Sequence, residues 1–220
     1  MAVEADETGR AGAPLRGRRL RTPMRRALSG GTAGNEQLTA ITGAVLILLL
    51  AALGVTIVRI GQLLDVHMFL GLLLIGPVAL KMASTGYRFA RYYTFSAAYR
   101  EKGPPPLAMR SIAPLVVLST IAVLASGVAL LFVNPAHRGI LGSLHKLSFI
   151  VWVAVTALHV LGHLLELPAA LSADRRLAYD DRGAGRGARV LALGGALVGG
   201  VVLALLLEYR FAAWVSFHHH

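Results

Sequence analysis

Five histidines lie within the body of this chain: His67, His137, His145, His159 and His163. Imidazole is the side chain that most readily binds a transition metal or moves a proton near neutral pH. The spacing of these residues is ordered. His145 and His159 are 14 residues apart in one apolar run. At 3.6 residues per turn that is nearly four turns, so both leave the same helix face, separated by a rise of roughly 21 Å. His163 stands one turn beyond His159 on that face. His67 opens an earlier apolar run. Two neutral imidazoles at equal depth on facing helices can ligate one metal from opposite sides. The chain has no cysteine, which removes disulfides, thiolate metal sites, iron–sulfur clusters and cysteine nucleophiles. Between apolar helices the fitting guest for such a pair is haem iron, because a flat porphyrin slips between helices and its propionates reach a polar surface. His218, His219 and His220 read equally as a natural end or a tag remnant and are set aside.

The elements that must position these residues are membrane spans. Of 220 residues 55% are hydrophobic and only 15% are charged, yet the net charge is +11. Mean hydropathy is +0.63. Apolar spans joined by basic loops satisfy both facts, and a nucleic-acid binder does not. A spanning helix needs roughly 20 mostly apolar residues. Five runs qualify: 38–58, 66–84, 112–133, 141–167 and 190–207. In lipid each backbone polar group must be satisfied within its own segment, so these runs are helices. Pro77 predicts a local kink in the second.

Charge sets the orientation. Seven arginines precede Leu38, six Lys/Arg lie between Lys81 and Arg110, and five arginines lie between Arg175 and Arg189, so 18 of 22 positive charges fall on one side of a five-span chain. The positive-inside rule then places the N-terminus and these loops in the cytoplasm of a cell-membrane protein, with the C-terminus outside. The expected organisation is a disordered basic tail over 1–36, a four-helix transmembrane bundle over 37–168, a cytoplasmic loop over 169–189, and a fifth helix with a short outer tail over 190–217. His67 and His145 fall at the same outer depth in this arrangement.

The stretch from Leu144 to His159, Leu-His-Lys-Leu-Ser-Phe-Ile-Val-Trp-Val-Ala-Val-Thr-Ala-Leu-His, together with a partner histidine on an earlier helix, resembles membrane b-type cytochromes of the cytochrome b561-like and ferric-reductase-like kind. Asp65-Val-His-Met-Phe-Leu-Gly71 and Lys81-Met-Ala-Ser-Thr-Gly-Tyr-Arg88 also look like segments of small actinobacterial membrane proteins of this type. The resemblance covers about residues 38–170. It implies an all-α four-helix bundle holding two haems b, one near each membrane face, with ligands four turns apart on one helix serving both. The chain departs from that pattern at one place. Fourteen residues after His67 stands Lys81, followed by Met82, where the pattern calls for a histidine. One outer haem on His67 and His145 is therefore expected. An inner haem stays open, either absent or held by His159 with Met82 or Lys81, while His163 is a ligand or orients a propionate or water.

Each of these residues has a plainer reading. An intramembrane histidine also serves as a helix-to-helix hydrogen-bond donor. Lys81, Tyr87 and Arg88 could neutralise inner propionates, and Arg138 and Lys146 outer ones, but interfacial anchoring explains Lys81 and Arg88 alone. His137 lies in a short loop and reads as exposed. Trp152 at mid-span reads as packing. Asp65 and Glu166 could orient a ligating imidazole or simply face water. Gly71, Gly76, Gly127 and Gly142 permit close approach of helices or of a porphyrin.

The reading that follows is a membrane b-type cytochrome transferring electrons through haem held between helices 2 and 4. Its partners would be the lipid bilayer and a quinone or redox partner protein, with no nucleic acid. The chain carries no nucleotide motif or flavin site, so it would be a membrane oxidoreductase drawing on other carriers, or the electron-transfer subunit of one. Two alternatives stand beside it. His159, His163 and Glu166 share one helix face in a zinc-like spacing, which suits transition-metal binding or transport. A non-catalytic assembly subunit with degenerate haem sites would also lack the inner partner.

Overall fold

The computed structural model describes residues 31–94, 107–164 and 186–218. Its helices are α1 (Gly31–Val58), α2 (Leu64–Tyr93), α3 (Leu107–Leu130), α4 (Gly139–Leu164), α5 (Arg186–Leu207) and α6 (Phe211–His218). Single 3-10 turns cover Pro135–His137 and Glu208–Arg210. No strand occurs among the described residues. Five helical stretches are long and apolar enough to cross a bilayer, α5 and α6 counting together as Arg186–Phe217. This all-α architecture fits a multi-pass membrane protein. Large apolar side chains on the outside, such as Leu48 at 71% and Ile140 at 89% exposure, then face lipid instead of water.

Two boundaries differ from those expected. α1 begins at Gly31, so residues 31–36 are helical rather than tail. α2 runs for 30 residues, to Tyr93, well past the expected end at Ser84. One polar cluster accounts for both. Asn35 Nδ2 donates to the Ser84 carbonyl at 3.1 Å, and Thr39 Oγ1 donates to Ser84 Oγ at 3.0 Å. Lys81 Nζ donates to the Thr39 carbonyl at 2.6 Å. Beyond them Arg88 and Glu36 pair at 3.9 Å. These contacts exist only if α1 is helical before Leu38 and α2 continues after Lys81. A window of apolar residues cannot see them. α2 also continues through Pro77, which is buried. Residues 1–30, 95–106 and 165–185 hold most of the expected tail and basic loops and lie outside the described residues.

α2 is the centre of the packing. It lies along α5 on one side and α1 on another, while α3 and α4 pair chiefly with each other. The sequence predicts α5 as an addition to a four-helix bundle, yet α5 is the most extensive partner of α2. The reason is backbone proximity. A Cβ on Gly76 would strike the Ala196 carbonyl oxygen, and one on Gly200 would strike the Leu73 carbonyl oxygen. Two bare glycines thus let the helix backbones touch, which is how helices associate in lipid where apolar burial gives little drive. Above this crossing, Leu72, Leu131, Ala204 and Phe211 form a buried cluster, joined by Met68, Val128 and Leu207. It ties α2, α5 and α6 to the end of α3. The expected outer tail is therefore the helix α6, held by Phe211.

Candidate functional site

Both best-placed histidines stand at the start of a helix, at the end of the molecule where α1 and α3 finish. His67 lies in the first turn of α2, its N–H donating to the Leu63 carbonyl at 2.8 Å. Residues 59–63 turn tightly, with Gln62 and Leu63 N–H groups both donating to the Arg59 carbonyl. The turn sets the end of α1 against the start of α2. Across it, Thr56 Oγ1 lies 3.0 Å from His67 Nδ1. Thr56 is 2% exposed, and its hydroxyl also donates to the Leu53 carbonyl at 2.6 Å.

The α3–α4 hairpin repeats this arrangement. The connection is set by Asn134, whose Oδ1 accepts from Ala136 N–H at 3.0 Å and opens the 3-10 turn. It returns the chain so that His145, in the second turn of α4, faces the end of α3. Ser126 Oγ lies 3.0 Å from His145 Nδ1 and donates to the Val123 carbonyl at 3.0 Å. Ser148 Oγ stands 3.4 Å from Ser126 Oγ and donates to the His145 carbonyl at 3.0 Å. The ring rests on bare backbone, since a Cβ on Gly127 would come within 3.0 Å of His145 Cε1.

His67 and His145 are both half-buried, at the end of the bundle where α1 and α3 finish. No hydrogen bond engages Nε2 of either ring among the described residues. The pair expected to share a depth thus stands near the starts of α2 and α4, two helices that do not pack closely on each other. Gly127, a small residue singled out for close approach, lies against His145.

The other expected site residues are placed differently. Lys81 points its ammonium at α1, onto the Thr39 carbonyl and 3.0 Å from where a Gly43 Cβ would stand. It is committed to holding α1 against α2. His159 is half-buried on α4, and His163 lies in the last described turn of α4. Glu166 lies outside the described residues. Among the described residues no three His, Cys, Asp or Glu side chains gather as a metal site. Arg138 is exposed at the same end as His145, with its guanidinium 5.0 Å from the Phe217 ring and Nη1 donating to the Pro135 carbonyl at 3.0 Å. His137 is exposed in the 3-10 turn. Trp152 Nε1 donates to Thr120 Oγ1 at 2.9 Å, which joins α4 to α3 at mid-span.

Two features of this end are not visible in the residue pattern. Arg210 sits with its guanidinium 5.0 Å from the Phe132 ring and 4.9 Å from that of Tyr209. Its Nε is buried without a hydrogen-bond partner. Thr56 and Ser126 are the other. Hydroxyl residues are common in spans, and only the rotation of two helices shows which of them meets an imidazole. No protein family, curated protein or solved structure matches this chain.

Proposed function

We propose that the chain is a membrane b-type cytochrome that passes single electrons through one haem b held between α2 and α4. One observation supports the reading: imidazoles on two separate helices stand at the same end of the bundle, each with Nδ1 at a hydroxyl and with Nε2 unengaged among the described residues. An isolated helix-to-helix histidine would engage a partner helix by one bond, and nothing would require a second histidine opposite with the same arrangement. A closed zinc site needs about four ligands, whereas an axial haem site needs two. A set of two imidazole donors fits a porphyrin better than a compact ion that needs about four ligands.

Haem supplies one-electron chemistry at its iron when bound. The chain's own residues do the rest. His67 and His145 would hold the haem through Nε2. Lipid-facing apolar residues exclude water from the helices around them. Arg138 and Arg210 supply positive charge at the same end. By the positive-inside rule this end faces outward from the cell membrane, with the N-terminus in the cytoplasm. A quinone or a redox partner protein would exchange electrons there. The role of redox enzyme or of its electron-transfer subunit follows from that partner.

The test is an absorption spectrum of the protein purified after expression with adequate haem. A Soret band, a sharp α-band on reduction and no shift with carbon monoxide are expected. A colourless protein that holds zinc would overturn the reading. Lys81 gives a further check. Because its ammonium is turned to the Thr39 carbonyl, Lys81→Leu is expected to keep the wild-type haem content. A matching loss of haem would return Lys81 to the ligand set.

A further inference from the structure

We infer that Thr56 and Ser126 are positioning residues that lock His67 and His145 in the Nδ1–H tautomer, so that Nε2 of each ring is the nitrogen offered to a metal. The inference rests on the cytochrome reading for its purpose, though not for its geometry.

A hydroxyl has one proton and two lone pairs, and a backbone carbonyl can only accept. Thr56 Oγ1 lies 2.6 Å from the Leu53 carbonyl oxygen. Two oxygens that close need a proton between them, so the hydroxyl proton is spent there. The same oxygen lies 3.0 Å from His67 Nδ1. With its proton committed, Thr56 can only accept, and His67 Nδ1 must carry the hydrogen. A neutral imidazole has one N–H, so Nε2 is left with a lone pair.

The same reasoning holds on the other hairpin. Ser126 Oγ donates to the Val123 carbonyl at 3.0 Å and meets His145 Nδ1 at 3.0 Å. Ser148 cannot reverse the relay readily, because its own proton goes to the His145 carbonyl at 3.0 Å. It is therefore an acceptor or a bystander at 3.4 Å from Ser126. Thr56 and Ser126 are 2% and 5% exposed, which keeps water from substituting for them.

The two hydroxyls come from different helices, lie 11 and 19 residues before their histidines, and reach the same result. An outer partner on Nδ1–H fixes ring orientation and makes the imidazole a stronger donor, and its removal commonly lowers metal affinity by about 10–100-fold. The stronger donor favours ferric over ferrous iron, so its loss raises the reduction potential.

The experiment uses the full chain in lipid nanodiscs, with ¹⁵N-labelled histidine for side-chain NMR and haem titration in parallel. His67 and His145 are expected as Nδ1–H tautomers in the haem-free protein. Thr56→Val keeps the shape and removes the hydroxyl, and it should weaken haem binding about 10–100-fold and raise the potential. Ser126→Ala should act in the same direction. Thr56→Ser should restore both properties, which a purely structural role of the methyl group would not. Wild-type haem binding and potential in both Thr56→Val and Ser126→Ala would overturn the inference and leave the cytochrome reading intact. If the wild type takes up no haem, that reading falls, and the tautomer signal decides the hydroxyl assignment alone. Nε2–H signals from both rings would then overturn it.

Discussion

Alanine at His67 or at His145 is expected to abolish haem binding, with a loss of affinity beyond the roughly hundredfold that removing an outer partner costs. In the proposed site each ring would supply one of the two nitrogens that hold the haem. Asp65 is exposed at the start of α2, and Lys146 is exposed beside His145. Neither carries a lone-pair nitrogen that binds iron without first losing a proton. The fold should survive. The lost contact is one hydrogen bond to Thr56 or Ser126, worth about 1 kcal/mol, and both imidazoles are only half-buried. Circular dichroism should therefore show wild-type helix content in both variants while the Soret band disappears. His159→Ala is the informative control. It sits nearly four turns further along α4 and should keep the outer haem. If His159→Ala were colourless and His145→Ala were not, the assignment of the outer pair would be wrong.

Gly200→Leu is expected to break the α2–α5 crossing and to cost about 3 kcal/mol or more, at the top of the range for overpacking. The atom in the way is the Leu73 carbonyl oxygen, part of a hydrogen-bonded helix backbone. A side chain could swing aside, but this oxygen moves only if the two helices separate. Gly76→Leu should behave alike, since its Cβ would meet the Ala196 carbonyl. The effect should reach the site. Separation of α5 loosens the cluster of Leu72, Ala204 and Phe211, into which Met68 packs next to His67. Gly195→Ala and Gly199→Ala have open space at their Cβ positions and should melt like wild type. Thermal unfolding in a mild detergent separates the two groups. Equal melting of Gly200→Leu and Gly199→Ala would refute the crossing.

The parts of this molecule that were legible in its residues are those governed by local composition. Uninterrupted apolar runs set the five spans, because a bilayer demands length and apolarity from each helix separately. The 14-residue spacing of His145 and His159 likewise put both on one helix face, while His67 was matched to His145 only by its depth in the five-span order. What involves two helices at once was less legible. Gly76 and Gly127 were among the small residues picked for close approach, and they do lie at a helix crossing and at an imidazole. Gly71 was picked on equal grounds and has open space, while Gly200 was not picked and is essential to the α2–α5 contact. Nothing in a run of glycines tells which one faces a neighbour. Lys81 shows the same limit. Its register after His67 suggested a ligand or a propionate partner, but its direction is set by the Thr39 carbonyl on another helix. Thr56 and Ser126 went unnoticed because a hydroxyl gains its role only from the ring set beside it.

We propose that His67 and His145 together hold one haem. The most direct measurement is haem content per chain by the pyridine haemochromogen method, on protein expressed with adequate haem. Roughly one haem per chain is expected, from two axial imidazoles at one site. A value near zero would contradict this outright, and a value near two would require an inner ligand pair as well.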